Sequence, residues 1–222
     1  MTSLTAIEAP TAIPAGAFGA WLAQIEAALR GTRGSDVPCG DCTGCCTSGY
    51  SLQLRPDDHR AFAVIPASLL HATANITAGQ RTLPARPDGT CMMLAAGRCS
   101  IYPDRPQTCL DYDCRIFAAA GIDAGGADKA VINRRVRAWQ FDYPTEADRR
   151  AHAAVRAAAE FLRGGNRSTP GIRLPATPMG IAVLAIKAHR EFMDATNDTR
   201  DEVALTQAVF EAARAFDVDA AP

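Results

Sequence analysis

The stretch Cys39-Gly-Asp-Cys42-Thr-Gly-Cys45-Cys46 places four cysteines within eight residues, with a glycine in each of its first two gaps. The remaining cysteines of this 222-residue chain are Cys91, Cys99, Cys109 and Cys114, so all eight fall in one third of the sequence. A residue type confined in this way serves a local chemical purpose. The candidates are a metal site, a disulfide framework or a redox centre.

The expected compartment favours metal over disulfides, because disulfides persist in oxidising compartments. Residues 1–14 contain no Lys or Arg, and residues 15–29 include Gln24 and Glu26, so we expect no signal peptide. Apolar runs such as residues 179–186 are shorter than the roughly 20 residues of a membrane span. The sequence therefore predicts a cytoplasmic protein with reduced thiols that hold a metal ion or cluster.

The overall composition is that of an ordinary globular chain. Hydrophobic residues make up 48% and charged residues 21%, which is enough for a core in one or two domains. The formal net charge of −1 provides no general attraction to nucleic acid or to an anionic membrane, so we expect neither as a partner. Dinucleotide, P-loop and serine-hydrolase motifs are absent from the sequence.

Periodicity predicts helices on both sides of the cysteines and short irregular elements among them. Predicted helices cover about 17–30, 127–141, 146–163, 179–194 and 200–216, and a shorter one opens at Pro56. Predicted strands cover about 50–54, 90–94 and 98–102, the last two joined around Gly97. The expected fold is mostly α, a small α+β protein whose irregular cysteine-rich metal-binding module contains a short β-hairpin.

This pattern divides the chain into three parts. Residues 1–32 carry an N-terminal amphipathic helix that packs on the module, residues 33–120 form the cysteine-rich metal-binding module, and residues 121–222 form a C-terminal helical region. The module has little continuous apolar periodicity, so a bound metal is expected to supply cross-links that a core supplies elsewhere.

The cysteine spacing bears on which metal is bound. Four thiolates are the usual complement of a structural zinc ion or of one iron–sulfur cluster. Zinc ribbons pair two Cys-x2-Cys knuckles, whereas the downstream spacings here are Cys91-x7-Cys99 and Cys109-x4-Cys114. The run Cys39-x2-Cys42-x2-Cys45 is closer to the ferredoxin type. Spacing therefore favours an iron–sulfur cluster, such as [4Fe–4S], with zinc as the alternative.

The adjacent pair Cys45 and Cys46 argues for more than one centre, since neighbouring side chains diverge and rarely reach one small ion together. Either they serve different centres or only one of them is a ligand. In the first case Cys39, Cys42 and Cys45 form the first centre with one downstream cysteine. Cys46 and the other three of Cys91, Cys99, Cys109 and Cys114 then form the second.

The full pattern also resembles a known family. Cys39-x2-Cys42-x2-Cys45-Cys46, followed by Cys91-x7-Cys99-Ser-Ile-Tyr-x2-Arg-Pro-x2-Cys109-x4-Cys114, is similar to the CxxCxxCC cysteine-cluster family, also called YkgJ-like, a zinc- or iron-chelating domain. The resemblance covers roughly residues 38–117. Flagellin lysine N-methylases share a similar cysteine pattern, so the resemblance implies an iron–sulfur-dependent methyl-transfer enzyme as one alternative. A zinc-stabilised interaction module without catalysis is another.

Two residues within the pattern are candidates for contacts around a cofactor. Arg105 could donate hydrogen bonds to a thiolate or sulfide, or it could only order the turn at 104–106. Tyr102 is the other candidate for a contact around the cofactor.

Other polar residues have simpler interpretations. Asp111 and Asp113 could join a metal site or bind a cationic substrate, but acids in such loops are more often solvated. We expect His59 and His71 to be surface or half-buried residues within helices, and His152 and His189 to face solvent.

Overall fold

A computed structural model describes residues 11–31, 34–35, 37–72, 78–164, 172–193 and 200–218. The helices are α1 Phe18–Leu29, α2 His59–Val64, α3 Gln107–Asp111, α4 Arg115–Ala120, α5 Ala130–Ala138, α6 Glu146–Gly164, α7 Pro178–Ala188 and α8 Glu202–Val218. The strands are β1 Ile13–Ala17, β2 Leu52–Leu54, β3 His71–Ala72, β4 Arg81–Leu83, β5 Leu94–Ala95, β6 Arg98–Cys99 and β7 Trp139–Asp142. The predicted mostly helical α+β fold is confirmed.

The larger hydrophobic core is helical and brings the two ends of the chain together. Helices α1, α4, α6 and α7 pack on one another, and α8 covers α7. Phe18, Phe117, Val155, Ile186 and Val209 are all fully buried in this core. The aromatic side chain of Phe18 lies at the centre because the apolar stripe of α1 faces inward, as its helical spacing predicts.

A short parallel sheet extends this core. Strand β1 pairs with β7, with Ile13 opposite Trp139. The prediction of one helix over 127–141 is therefore wrong at its end: a 3₁₀ turn at Ala127–Lys129 leads into α5, which stops at Ala138. The segment Trp139–Asp142 alternates buried and exposed residues and finds a partner strand. Tertiary pairing thus overrides the local helical pattern.

A second, smaller core lies under the irregular region. Leu54, Leu83, Cys91, Met93 and Ile101 are buried in it. The antiparallel sheet β2-β4-β3 forms one side, and β5 and β6 form the predicted hairpin, although its strands are shorter than expected. The hairpin turns through Ala96 and Gly97, both with positive φ.

The sequence did not reveal α3 and α4. Helix α3 follows Pro106 and carries Cys109, and α4 follows Cys114 and ends at Gly121 with φ of 67°. Parts of the segments 32–38 and 166–178 lie outside the described residues. The division of the chain into three parts at residues 32 and 120 stays a prediction. None of the helices described in the structure has both the length and the apolar character to span a membrane.

The prediction that His152 and His189 face solvent is wrong. His189 is buried, and its Nδ1 donates to the carbonyl of Ile186 at 2.8 Å. His152 is also buried and stacks on Phe18, with 4.4 Å between ring centroids. Its Nε2 donates to the carbonyl of Ala119 and its Nδ1 accepts from the hydroxyl of Tyr143 at 2.6 Å, which is the pattern of a neutral imidazole.

Burial lowers the pKa of His152 to about 4, and the charge of Arg156 adds to the decrease. The unfolded chain therefore takes up a proton below about pH 6.5 that the folded chain accepts only near pH 4. We expect the free energy of unfolding to fall by up to about 3 kcal/mol over this interval as the pH decreases. Denaturant unfolding of full-length wild type and His152→Phe at several pH values checks this. The variant should lose this part of the pH dependence of the free energy of unfolding. An equal pH dependence in both proteins would contradict a lowered pKa of His152.

Candidate metal centre

The loop from Cys39 to Cys46 is a series of tight backbone turns. The amide of Cys42 donates to the carbonyl of Cys39 at 3.0 Å, and a 3₁₀ turn follows at Cys45–Thr47. Gly40 has φ of 55°, which glycine adopts without steric cost. The amide of Gly44 approaches Sγ of Cys42 at 3.4 Å. The loop thus directs backbone N–H groups toward sulfur, a common arrangement around thiolate ligands.

Position 44 requires glycine because of a close neighbour and not because of its backbone torsion angles. Its φ of −51° is ordinary right-handed helix. A Cβ at this position would lie 3.1 Å from Cγ1 and 3.4 Å from Cα of Ile132 in α5, and 3.4 Å from Sγ of Cys42. Glycine at position 44 therefore permits the cysteine loop to lie directly on α5.

The second set of cysteines joins this loop through the backbone. The amide of Cys91 donates to the carbonyl of Cys46 at 2.7 Å. Sγ of Cys91 is approached by the amide of Met93 at 3.4 Å, and Cys99 lies on β6 opposite Leu94. Cys109 lies on α3, where its amide donates to the carbonyl of Pro106 at 2.8 Å.

Negative charge on Cys39 and Cys42 raises the pKa of Cys114, which indicates that these three thiols lie near one another. Burial raises the pKa of Cys39, and negative charge on Cys45 and Cys42 adds to the increase. Burial likewise raises the pKa of Cys114 to about 12, with further contributions from Asp113, Cys42 and Cys39. The chain thus brings Cys114 to the Cys39–Cys42 loop across more than seventy residues.

Charge effects on the pKa also connect Cys91, Cys99 and Cys109. Burial raises the pKa of Cys109 to about 12, and negative charge on Cys45, Cys91 and Cys99 contributes. Burial also raises the pKa of Cys91, where Cys99 and Cys45 again contribute. Negative charge on Cys45 therefore raises pKa values in both sets of thiols.

The two vicinal cysteines differ in their surroundings. A hydrogen bond with the side chain of Cys46, followed by burial, raises the pKa of Cys45. Cys46 packs against the smaller core, as does Cys99, whereas Cys39 and Cys114 pack against the larger one. These four cysteines thus pack against different cores, two against each.

The thiols are near one another but are not arranged as a finished coordination shell. Among the described residues, which include all eight cysteines, no three His, Cys, Asp or Glu side chains form a group that could hold a metal ion. The cysteines are all free thiols. Soft sulfur donors nevertheless fit zinc or iron by their chemistry. Metal binding would have to draw them closer together.

Arg105 and Tyr102 contact each other near these cysteines, and their role around a cofactor stays a prediction. The guanidinium of Arg105 stacks on the ring of Tyr102 at 3.9 Å and donates to the Tyr102 carbonyl at 3.1 Å. Its charge lowers the pKa of both Cys39 and Cys109, although burial outweighs that effect. Arg105 therefore orders its own turn and also places positive charge near both sets of thiols.

The two aspartates have different roles, and the expectation that both are solvated is wrong for Asp113. The carboxylate of Asp113 is fully buried and accepts hydrogen bonds from Trp21 Nε1 at 3.0 Å, Ser35 Oγ at 2.6 Å and the guanidinium of Arg115. Asp111 is partly exposed and pairs with Arg55 at 2.7 Å. Neither aspartate belongs to a group of three potential metal ligands in the described chain.

His59 begins α2 and His71 lies in β3 rather than in a helix, and both side chains are exposed. The expectation of surface histidines is confirmed for this pair. Their exposure offers no support for a role as metal ligands.

Sequence reasoning missed two arginines that hold the cysteine segments. Arg86 donates to the carbonyls of Cys91 at 2.7 Å, Met92 at 2.8 Å and Leu94 at 3.2 Å. Arg135 donates to the carbonyls of Pro38 at 3.1 Å and Cys39 at 3.2 Å. Each guanidinium fixes the backbone on one side of the site. No sequence motif marks either arginine, because backbone carbonyls are available at every residue.

The close approach of Gly44 to α5 can be tested by adding one methyl group. Gly44→Ala keeps an allowed backbone but overpacks against Ile132, which we expect to destabilise the protein by about 1–3 kcal/mol and to weaken metal retention. Denaturant unfolding and metal analysis of the full-length variant check this.

The compensating change Ile132→Ala removes Cγ1, the side-chain atom of Ile132 that lies nearest to the added methyl group. The double variant should recover part of the loss, and the interaction energy of the double-mutant cycle measures the contact. Additive effects of the two substitutions would contradict direct packing of Gly44 on Ile132.

Comparison with known families agrees with the cysteine pattern. Residues 38–129 match the model of the CxxCxxCC family, whose description reads "Putative zinc- or iron-chelating domain". Neither the curated proteins nor the solved structures contain a significant match to the chain. The match ends at Lys129, immediately before α5. Over residues 38–129 the chain is therefore similar to the CxxCxxCC zinc- or iron-chelating family.

Proposed function

We propose that this domain binds two metal centres, each held by four cysteine thiolates. The observation that carries the proposal is the division of five of the eight thiols between the two hydrophobic cores. Cys39 and Cys114 pack on the larger core, and Cys46, Cys91 and Cys99 belong to the smaller one. The electrostatic relations among the thiols support the same division.

The first centre would be held by Cys39, Cys42, Cys45 and Cys114. Cys114 is the downstream cysteine whose pKa responds to both Cys39 and Cys42. Negative charge on Cys45 raises the pKa of Cys39, which supports the place of Cys45 in this set.

The second centre would be held by Cys46, Cys91, Cys99 and Cys109. The hydrogen bond between the Cys91 amide and the Cys46 carbonyl brings these two residues together. Negative charge on Cys91 and Cys99 raises the pKa of Cys109, which supports its place in this set. Cys45 also raises the pKa of Cys109, as expected if the two centres are neighbours.

For the first centre we propose an iron–sulfur cluster. Three thiolates at two-residue spacing and the tight turns of the loop are typical of cluster ligation, and N–H groups near sulfur offset part of the negative charge. A cluster of this kind supplies electron transfer or Lewis acidity when bound. Zinc in both centres, with a purely structural role, is the competing assignment.

A catalytic role has less support than metal binding. A cleft of ≈1070 Å³ contains Trp139, His152 and Arg137 in its wall. His152 already makes two hydrogen bonds, and Arg137 pairs with Asp123. These side chains thus have structural partners, and we propose a binding function rather than methyl transfer.

Metal analysis of single-cysteine variants tests the two-centre arrangement. Full-length protein purified without oxygen should contain iron and acid-labile sulfide and absorb visible light. Cys114→Ser should remove the first centre, and Cys99→Ser the second, because loss of one thiolate opens a four-ligand site. Metal and sulfide content per chain is the measurement.

Asp111→Asn is the matched control, since Asp111 lies between Cys109 and Cys114 but pairs with Arg55. It should retain the full metal content. Loss of the same centre from both cysteine variants, or full content in either, would contradict the proposed ligand sets. Zinc without iron or sulfide would contradict the cluster while leaving the sets intact.

A further inference from the structure

The region just beyond the family match contacts the Cys39–Cys114 side of the site at several points. Ile132 and Arg135 lie on one side of α5, three residues apart and so almost one helical turn from each other. Ile132 contacts the loop at Gly44, and Arg135 holds the carbonyls of Pro38 and Cys39. Trp139 follows at the end of the helix.

The indole of Trp139 contacts sulfur directly. Its Nε1–H donates to Sγ of Cys114 at 3.2 Å. The ring is buried and fixed by strand β7, which pairs with β1. The donor is therefore held in place by secondary structure rather than by the cysteine loop.

Arg135 supplies a second donor on the same side. Its guanidinium lies over the Trp139 ring at 4.6 Å and donates to the carbonyls of Pro38 and Cys39. Within the described parts of the chain, Nε of Arg135 is the only buried side-chain nitrogen or oxygen that lacks a hydrogen-bond partner. A buried N–H without an acceptor is costly unless a ligand or a moving group accepts its hydrogen.

We infer that Trp139 and Arg135 are positioning residues of the first centre: Trp139 donates to the Cys114 thiolate, and Arg135 Nε donates to sulfur when the site closes on its metal. This role rests on the proposed function, because it assumes that Cys39 and Cys114 ligate. Hydrogen bonds to a ligating sulfur withdraw electron density and orient its lone pairs. The working site therefore extends beyond residue 129, where the family match ends.

Trp139→Phe tests the donor while keeping an aromatic ring in the core. The chain contains one other tryptophan, Trp21, whose indole donates to Asp113 and not to sulfur. Trp21→Phe is thus a matched control that also removes one buried indole N–H. Both full-length variants and wild type are reconstituted with Co²⁺ under reducing, anaerobic conditions, since Co²⁺ reports thiolate ligation through its charge-transfer absorption.

In Trp139→Phe the sulfur-to-cobalt absorption of one centre should move to lower energy, because its thiolate loses a hydrogen bond. A chelator should remove that Co²⁺ about 10-fold faster than from wild type. Trp21→Phe should leave the absorption energy of bound Co²⁺ unchanged. Arg135→Lys, which keeps the charge but removes Nε, should also accelerate Co²⁺ loss from one centre.

The outcomes separate the two proposals. A Trp139→Phe protein with the wild-type spectrum and release rate would overturn the role of Trp139. So would an equal spectral shift in Trp21→Phe, since the effect would then be general. A wild-type chain that takes up neither Co²⁺ nor an iron–sulfur cluster would overturn the proposed function, and the positioning role with it.

Discussion

The buried carboxylate of Asp113 connects the cysteine segment to the rest of the molecule. It accepts from Trp21 on α1, from Ser35 before the first cysteine and from Arg115 at the start of α4. Arg115 in turn donates to the carbonyl of Ala15 on β1 at 3.3 Å. Removing one partner of such a buried pair typically costs about 3–5 kcal/mol, because the other charge is left without compensation.

The position of Cys114 follows from this interaction. Cys114 lies between the two members of the ion pair, so its backbone is fixed by that pair and by the hydrogen bond from Arg115 to Ala15 on β1. The Cys39 loop reaches the same place by resting on α5 through Gly44. Segments far apart in the sequence therefore meet because the helical core places them, and we propose that metal then completes the arrangement.

The two sets of thiols use separate supports with the same physical design. Arg135 holds the backbone of Pro38 and Cys39, and Arg86 holds the backbone of Cys91, Met92 and Leu94. An arginine is suited to this because its planar guanidinium has several donors in fixed directions. Such supports keep irregular segments ordered where strands and helices are short.

The sequence was informative where one local pattern determines the outcome. The stripe of α1 and the cap of α6 at Thr145 follow from residue spacing and from capping chemistry. The burial of Asp113 and His152 depends on partners distant in the chain, which no local pattern specifies. Strand β7 is an example, since its segment becomes a strand only when β1 is beside it.

The candidate site shows the same limit. The cysteine spacing indicated the family that residues 38–129 match, and ligation by the thiolates stays a prediction. Trp139 and the two supporting arginines were missed, because a donor to sulfur or to a backbone carbonyl has no distinctive spacing. The need for glycine at position 44 is explained by the structure alone, since its φ is ordinary and its close neighbour is Ile132.

X-ray absorption at the metal edge of the full-length, as-purified protein tests the central claim most directly, because it reports the atoms bound to the metal. The account predicts a coordination shell made only of sulfur, at about 2.3 Å if the metal is zinc, and a further iron–iron distance if a cluster is present. A shell containing nitrogen or oxygen ligands would contradict the assignment of all eight cysteines as the metal-binding residues.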